Sequence, residues 1–379
     1  MKIIYVSNAK IPSKTANSIH IMKICQAFSK KGHEVILVAP EYKDIEVGVD
    51  DVYGYYGVDN IFKIIKLPWK RIKGRGYIYG WEVAIVVSRE KPDLVYGRSL
   101  TSCYFSSIIT KVPIIFEAHQ PIKDFGMIQE FCFRKLLKKQ SFEKFVVISD
   151  SLKQYYIKNY NMKSEKILVA HDGADCAPEN IKLTKLQLID NEKINVGYIG
   201  HLYKGKGMEL ISKLAKKCSW ANFHVVGGLE QDINYWKKEL DGVKNIYFYG
   251  FVPHSKTLCY GKAFDVLLAP YQKKVSGYGN KKANLSDWMS PLKIFEYMSL
   301  GKPIVCSDLP VLREILKNNY NGLLCDPENI DEWVKALKDL VADKKLTNRI
   351  GSQGKKDFLE KYTWDKRAEL VLSNSKKGK

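Results

Sequence analysis

Several features are missing from the 379-residue sequence, and each absence argues against a class of protein. No apolar run approaches the ~18 residues of a membrane-spanning helix. The segment after Met1 also lacks the charged region followed by an apolar region that a secretory signal has. The eight cysteines show no C-x-x-C spacing and have no histidine pair of metal-site spacing beside them. We therefore expect a cytoplasmic protein with reduced core cysteines and no metal site.

Two nucleotide-binding signatures are incomplete. No G-x-G-x-x-G follows the apolar segments Ile3–Asn8 and Lys193–Gly200, which argues against a dinucleotide-dependent oxidoreductase. The segment from Gly200 to Gly207 approaches the phosphate-binding pattern G-x4-G-K-[ST], but Gly207 stands where that pattern needs a magnesium-binding hydroxyl. A kinase or ATPase is therefore disfavoured.

The bulk composition is that of a globular protein. Apolar residues make up 45% and charged residues 27%, and the length suffices for two domains with separate cores. The formal net charge of +20 indicates an anionic partner. Charge alone does not choose among phospholipid headgroups, nucleic acid and a polyphosphorylated substrate.

Short apolar segments alternate with longer helical ones, which predicts parallel sheets with crossover helices. A polar stretch, 176–192, separates two such series, and a new strand begins at Lys193. The predicted strands are KIIYVSN, EVILVAP, DLVYGR, VPIIFEAH and KFVVISD in the first series, and KINVGYIG, FHVVGG, NIYFYGFV, DVLLAPY and IVCS in the second. The fold class is therefore α/β, with two similar domains.

The most informative segment runs from Ser290 to Pro327. Ser290 is a good N-cap and Pro291 suits the first helical position, so we expect a helix there that ends before Gly301. After the strand at Ile304–Ser307 we expect a second helix over 311–317 and a turn at Asn321-Gly322, whereas 276–286 is expected to be a mobile loop.

The N-terminus of the Ser290 helix is a potential phosphate site, because its unpaired amides and its dipole attract anions, and Lys293 in the first turn would strengthen it. Glu296 lies five residues past Pro291, which is roughly 7–8 Å along the helix axis. At that distance its carboxylate could accept hydrogen bonds from a ribose. A solvated helix face with an exposed Glu296 explains the pattern equally well.

The segment SPLKIFEYM resembles the donor site of retaining GT-B glycosyltransferases of family 4, in their SPLK-FEYM variant. The resemblance implies two Rossmann-like doubly wound domains facing a central cleft. It implies an acceptor domain over 1–180, a nucleotide-sugar domain over 190–357 and a C-terminal helix, 358–379, that crosses back to the first domain.

The resemblance also implies roles for individual residues. Glu296 matches the ribose-binding glutamate, and Ser290, Pro291, Leu292 and Lys293 match the helix start beside the donor phosphates. Lys206 matches the lysine that holds the donor diphosphate and stabilises the leaving group. His201 stands where the family usually has arginine, and Trp288, beside Asp287, stands where it has a second glutamate.

In the first domain His119 follows a predicted strand, at the edge where open α/β sheets bind ligands. The resemblance implies that His119 lies at the reaction centre and contacts the donor sugar. A histidine on a loop is otherwise a weak signal, and the neighbouring Glu117 could pair with a lysine. The segment Asp172, Gly173 and Asp175 resembles the family's NGVD hinge, and the role of the loop 9–20 stays open.

No D-x-D is present, so the chain lacks the paired carboxylates that hold a divalent ion in the other large glycosyltransferase fold. The resemblance implies a metal-independent, hexosyltransferase-type enzyme without a cofactor, whose co-substrate is a UDP- or GDP-linked sugar. Two basic, aromatic stretches, 63–81 and 133–145, suit an anionic membrane surface with Trp69, Trp81 or Phe133 at the interface. A solvated basic face explains them almost as well.

The expected function is transfer of a sugar, with retention, to a glycan or lipid-linked saccharide acceptor in bacterial surface polysaccharide or lipopolysaccharide synthesis. The enzyme would lie at the inner face of the cell membrane. Two alternatives remain: a degenerate, non-catalytic sugar-nucleotide binder, because of His201 and Trp288, and a DNA-modifying glucosyltransferase, because +20 suits phosphate contacts, although nucleic acid is the less favoured partner.

Overall fold

A computed structural model describes residues 1–43, 46, 48–69, 72–187, 192–277 and 280–373, with the side chains of 276–283 left out. The chain forms two compact units, Met1–His171 with Trp364–Lys379 and Asp172–Thr363. Each unit contains its own parallel sheet, so the α/β fold class with two Rossmann-like domains is confirmed.

The first unit is built on seven strands in the order β3-β2-β1-β4-β5-β6-β7, all paired in parallel. The chain starts in the centre, builds to one side and then returns to build the other, so the order reverses between β1 and β4. The strands are β1 Lys2–Val6, β2 Glu34–Glu41, β3 Lys63–Pro68, β4 Leu94–Gly97, β5 Ile114–Ala118, β6 Phe142–Val147 and β7 Ile167–Val169.

The helices of the first unit connect these strands and cover the sheet. They are α1 Ala16–Lys30, α2 Val52–Tyr56, α3 Arg75–Glu90, α4 Leu100–Ile109, α5 Met127–Leu136 and α6 Asp150–Tyr160, with short 3-10 helices at Ile122–Phe125 and Ser164–Lys166. Thr15 caps α1 by accepting from the Ser18 amide, which gives part of the 9–20 loop a structural role. The last helix of the chain, numbered α13 (Trp364–Leu372), packs against α1.

The second unit contains six parallel strands in the order β10-β9-β8-β11-β14-β15, and a separate antiparallel pair, β12 and β13. Its sheet order reverses between β8 and β11. The strands are β8 Ile194–Ile199, β9 Ala221–Val226, β10 Ile246–Gly250, β11 Val266–Ala269, β12 Ser276–Gly277, β13 Asn280–Asn284, β14 Ile304–Ser307 and β15 Leu323–Cys325. The helices are α7 Met208–Lys217, α8 Glu230–Glu239, α9 His254–Ala263, α10 Leu292–Ser299, α11 Ile330–Ala342 and α12 Lys344–Lys361.

Two local expectations for the second unit are wrong. The helix after Ser290 begins at Leu292 with Pro291 as its N-cap, because the Ser290 hydroxyl accepts from the Asp172 amide at 2.8 Å instead of from its own helix. Residues 311–315 form turns, and the Asn321 side chain accepts from the Lys317 amide at 2.7 Å, which ends helical bonding there.

The expected loop at 276–286 contains the β12–β13 hairpin, and its residues 278 and 279 lie outside the described part. The turn that precedes β15 includes Asn321, as expected.

The aromatic residues of the basic stretches have different environments. Phe133 is fully buried among Phe116, Phe145 and Tyr156, so its expected place at a membrane interface is wrong. Trp69 is partly buried against other aromatic rings, whereas Trp81 is exposed. Residues 70 and 71 of the first stretch, and the basic tail 374–379, lie outside the described residues. Among the helices that the structure describes, none has the length and apolar character to cross a bilayer.

Candidate functional site

The candidate site of the second unit lies where the strand order reverses, between β8 and β11. In open parallel sheets, ligands bind at the carboxyl ends of the strands beside such a reversal. Tyr198 lies near the carboxyl end of β8 and Tyr271 lies two residues past the end of β11. Both rings are buried, and they form an aromatic floor at this edge of the sheet.

Two lysine side chains lie over this floor. The Lys293 Nζ is 3.7 Å from the centre of the Tyr198 ring and 5.3 Å from that of Tyr271, and the Lys206 Nζ is 5.2 Å from the Tyr271 centre. Lys293 comes from α10, the crossover between β11 and β14, and Lys206 comes from the loop between β8 and α7. The fold thus brings together two residues that are 87 positions apart (293 − 206).

Protonation of both amines is electrostatically unfavourable in the ligand-free protein. The Lys293 side chain is 9% exposed, and its Nζ has no hydrogen-bond partner among the described residues. Burial, and then the nearby charge of Lys206, lower the pKa of Lys293 well below its usual value. Burial also lowers the pKa of Lys206, to about 8. Buried cations of this kind need an anionic partner, and a diphosphate would supply one.

Glycine is required beside these amines. Gly200 follows β8 with φ of +153°, a conformation that residues with a side chain rarely adopt, and a Cβ atom there would lie 2.7 Å from the Lys293 Nζ. Gly207 precedes α7 with φ of +101°, and a Cβ atom there would lie 2.1 Å from the Pro270 carbonyl oxygen. The glycines of the 200–207 segment therefore allow the backbone to approach both the lysine and the β11 loop closely.

The expected phosphate-binding helix is present as α10, which begins at Leu292. Pro291 and Leu292 are partly exposed, whereas Ser290 is buried and its hydroxyl is engaged by the Asp172 amide. The hydroxyl of Ser290 therefore fixes the chain where it enters α10. The first amides of α10 and the buried amine of Lys293 are the groups at this end of the helix that can bind an anion.

Glu296 is not the solvated residue of the alternative interpretation. Its side chain is mostly buried, and its Oε1 lies 2.6 Å from Nε2 of His254. His254 is the first residue of α9, shortly after β10 ends. His254 belongs to no motif recognised in the sequence, although its position after a strand's carboxyl end is the same signal that indicates His119.

The remaining expected donor residues are placed as follows. His201 is partly buried, and its backbone carbonyl accepts a hydrogen bond from the Tyr198 hydroxyl at 2.6 Å, so the segment before Lys206 is anchored to the floor. Trp288 is half-buried, and Asp287 is exposed and accepts from the Ser286 hydroxyl.

The first unit contains a second polar cluster, around Glu117 at the end of β5. The carboxylate is fully buried and lies 3.0 Å from the Arg367 guanidinium and 3.2 Å from Nε2 of His20, and it also contacts His119 and the Tyr96 hydroxyl. The charged partners of Glu117 are therefore an arginine and two histidines, and not the lysine of the alternative interpretation. Although burial opposes ionisation, Arg367 and the two histidines hold the pKa of Glu117 well below its usual value.

Residues of this cluster contact the His119 side chain and fix its orientation. Its Nε2 contacts Glu117, and its ring meets that of His20 edge to face at 5.0 Å between centres. His20, Glu117 and His119 are metal-ligand types. Because Arg367 already compensates the charge of the carboxylate, the cluster is better suited to hold an imidazole than a cation.

Two family models match consecutive parts of the sequence. The model described as "Glycosyltransferase Family 4" matches residues 18–177, and the model described as "Glycosyl transferases group 1" matches residues 181–357. The two matches meet close to the boundary between the structural units.

Similar proteins include an uncharacterised glycosyltransferase of Methanocaldococcus jannaschii, 24% identical over 97% of this chain and 96% of its own length. HepE of Anabaena, solved in complex with UDP-glucose, has a TM-score of 0.72 at 16% identity, with 98% of both chains covered. The apo lipopolysaccharide outer core galactosyltransferase WaaB has a TM-score of 0.67 at 16% identity, with 98% of this chain and 99% of WaaB covered. Together with the two Rossmann-like units, these matches show that the chain belongs to the GT-B glycosyltransferases.

Proposed function

We propose that the second unit binds a nucleotide-sugar donor at the Lys206–Lys293 pair. The observation that carries this proposal is the pair of amines over the Tyr198 and Tyr271 rings, one of them buried without a hydrogen-bond partner. A diphosphate would relieve the repulsion between the amines and would accept hydrogen bonds from the first amides of α10. The ribose hydroxyls would then bind Glu296, whose carboxylate His254 orients.

The chemistry follows from these positions. Transfer breaks the bond between the anomeric carbon and the diphosphate oxygen and forms a bond to the acceptor hydroxyl, with retention of configuration. Negative charge grows on the departing diphosphate, where Lys206 and Lys293 stabilise it. The proton of the acceptor hydroxyl passes to the leaving phosphate oxygen. We also assign His119, which Glu117 holds in the first unit, a role in the transfer step, as the family resemblance implies.

The proposed donor is a UDP- or GDP-linked hexose, used without a divalent metal. The complex of HepE with UDP-glucose supports a uridine nucleotide, and the name of WaaB supports a saccharide acceptor. The basic charge of the chain suits a lipid-linked or lipopolysaccharide acceptor at the inner face of the cell membrane.

The experiment is a transfer assay with UDP- and GDP-hexoses, in the presence of EDTA, on a panel of glycan and lipid-linked acceptors. We expect nucleotide diphosphate release that depends on one acceptor, and a product whose anomeric configuration, read by NMR, equals that of the donor. Release that needs a divalent ion, or an inverted product, would contradict the mechanism.

A second candidate is a non-catalytic sugar-nucleotide binder. The half-buried Trp288, at the position where the resemblance implies a glutamate for the donor sugar, favours it. Binding of a nucleotide sugar with neither hydrolysis nor transfer on any acceptor would support this candidate. Replacing Trp288 by Glu would then be expected to tighten sugar-dependent binding.

A further inference from the structure

Four large apolar side chains near the start of α5 are exposed to solvent. Their exposed fractions are 58% for Phe125, 88% for Met127, 59% for Ile128 and 54% for Phe131. These four residues are here called the apolar tip. Large apolar residues exposed singly are ordinary, but four within seven positions concentrate apolar surface at one place in the chain, and such concentrations mark interaction sites.

The apolar tip is distinct from the face of α5 that packs into the core of the first unit. Cys132, Phe133 and Leu136 are buried on the opposite side of the helix, where Phe133 packs against Phe116 and Phe145. Met127 and Phe131 are four residues apart and so lie on one face of the helix. The helix is thus apolar on the side towards its own unit and, in its first turns, also on the side towards solvent.

Basic residues surround the apolar tip. Lys135 lies on the same side of α5 as Met127 and Phe131. Lys138 follows two residues after the helix ends, Lys123 precedes the tip, and all three lysines are exposed. The Lys135 Nζ lies 5.3 Å from the centre of the Phe131 ring. Of the two nearby acids, Glu130 already pairs with Arg134 at 2.7 Å, which leaves Asp124. The local charge is therefore positive.

We propose that the apolar tip inserts into an anionic lipid bilayer, with Lys123, Lys135 and Lys138 at the headgroups. Apolar side chains at the acyl boundary with cations beside them are the combination that binds such surfaces, whereas basic charge alone suits many anions. The tip begins six residues after His119, at the carboxyl edge of the first sheet. The inference extends the proposed function, because this position would bring a lipid-linked acceptor to the edge where His119 lies.

The test is co-sedimentation of the full chain with vesicles of 30% phosphatidylglycerol in phosphatidylcholine and with vesicles of phosphatidylcholine alone. We expect binding to the anionic vesicles that weakens in high salt. The Ile128→Asp/Phe131→Asp variant should bind at least tenfold more weakly. Lys135→Glu/Lys138→Glu should also reduce binding, by about fivefold or more for each lysine. Both variants should keep the thermal midpoint of the parent chain.

Two control variants separate this surface from others. Tyr235→Asp alters a similarly exposed aromatic residue, 57%, in the second unit and should bind as the parent does. Trp81→Asp alters an exposed residue of the other basic, aromatic stretch and tests that stretch as the alternative binding surface. Loss of binding in Trp81→Asp but not in the apolar-tip variant would overturn the proposal in favour of that other surface.

Two further outcomes would overturn the proposal: no binding of the parent chain to anionic vesicles, or a dimer in solution that Ile128→Asp/Phe131→Asp converts to monomer. Vesicle binding is measured without nucleotide sugar. A chain that binds vesicles but transfers no sugar would therefore contradict the proposed function alone, and a chain that transfers sugar to a soluble acceptor but ignores vesicles would contradict this inference alone.

Discussion

The Glu296 Oε1 and the His254 Nε2 lie 2.6 Å apart, although the two residues belong to different helices, α10 and α9. The contact with His254 fixes the carboxylate of Glu296, which lies three residues after Lys293 on the same helix. Glu296 is also close enough to Lys293 for its negative charge to favour the protonated amine. One strand edge thus carries a cationic and an anionic half, as a ribose diphosphate requires.

Replacing Glu296 by Gln should weaken nucleotide binding by roughly 10–100-fold, because hydrogen bonds from the ribose hydroxyls to a charged acceptor would be lost. His254→Ala should have a smaller effect, since it removes only the orienting partner. Isothermal calorimetry with UDP and GDP measures both. The control is Glu332→Gln, which alters a carboxylate in α11 outside the proposed site. Equal loss in all three variants would contradict a specific role for Glu296.

Replacing Lys293 by Met should stabilise the ligand-free protein, because it removes a buried amine that has no hydrogen-bond partner in the described part of the chain and roughly keeps the side-chain volume. We expect the free energy of unfolding to rise by about 1 kcal/mol or more, by analogy with buried charges that are replaced by apolar groups. The same variant should lose donor binding. Denaturation with urea, with and without UDP, measures both effects, and a destabilised variant would contradict this account of Lys293.

Donor binding should depend on pH through Lys206, whose pKa is about 8. Below pH 8 the amine is charged and attracts the diphosphate, so affinity should fall as pH rises from 7 to 9.5. Because the unfolded chain keeps its lysine charged to a higher pH, the ligand-free protein should gain stability from pH 8 towards 10.5. Lys206→Arg should flatten the affinity profile. An unchanged profile in this variant would show that another group titrates.

Binding near pH 8 should also take up protons, because the diphosphate raises the pKa of both amines. Calorimetry in two buffers of different ionisation enthalpy measures this uptake. We expect Lys293→Met to reduce it. Proton release on binding would contradict the assignment of the lysine pair as the diphosphate site.

Arg367→Met should destabilise the protein by about 3–5 kcal/mol, since it leaves the Glu117 carboxylate buried without its main counter-charge. The double variant Glu117→Gln/Arg367→Met should be less destabilised than Arg367→Met, because it removes both charges. Urea denaturation of the two single variants and the double variant forms the cycle that measures this coupling. Additive effects would show that the pair does not interact.

The sheets of both units could be predicted from the sequence because parallel strands buried on two faces are continuous apolar runs, such as VPIIF and DVLLA. The prediction of a helix at 311–317 was wrong because the apolar residues there are buried as part of turns. In addition, the Asn321 side chain accepts a hydrogen bond from the Lys317 amide, which competes with helical hydrogen bonding. Periodicity does not separate these two cases.

The candidate site was only partly predictable. Lys206, Lys293 and Glu296 were recognised from local motifs. Their partners were not, because Tyr198, His254 and Tyr271 lie on elements distant in sequence that only the strand order brings together. In the first unit, Arg367 is 250 positions from Glu117 (367 − 117), and no local pattern predicts that contact.

The most direct measurement is a thermal-shift screen of UDP, GDP, ADP and CMP sugars, with NAD(P) as a negative control, on the parent chain and on Lys206→Ala, Glu296→Ala and Lys204→Ala. Lys204 is an exposed lysine two positions from Lys206 and serves as the matched control. The account predicts that one nucleotide sugar raises the midpoint of the parent and of Lys204→Ala but not of the other two variants. A shift that survives in Lys206→Ala and Glu296→Ala, or no shift with any nucleotide sugar, would contradict the donor site.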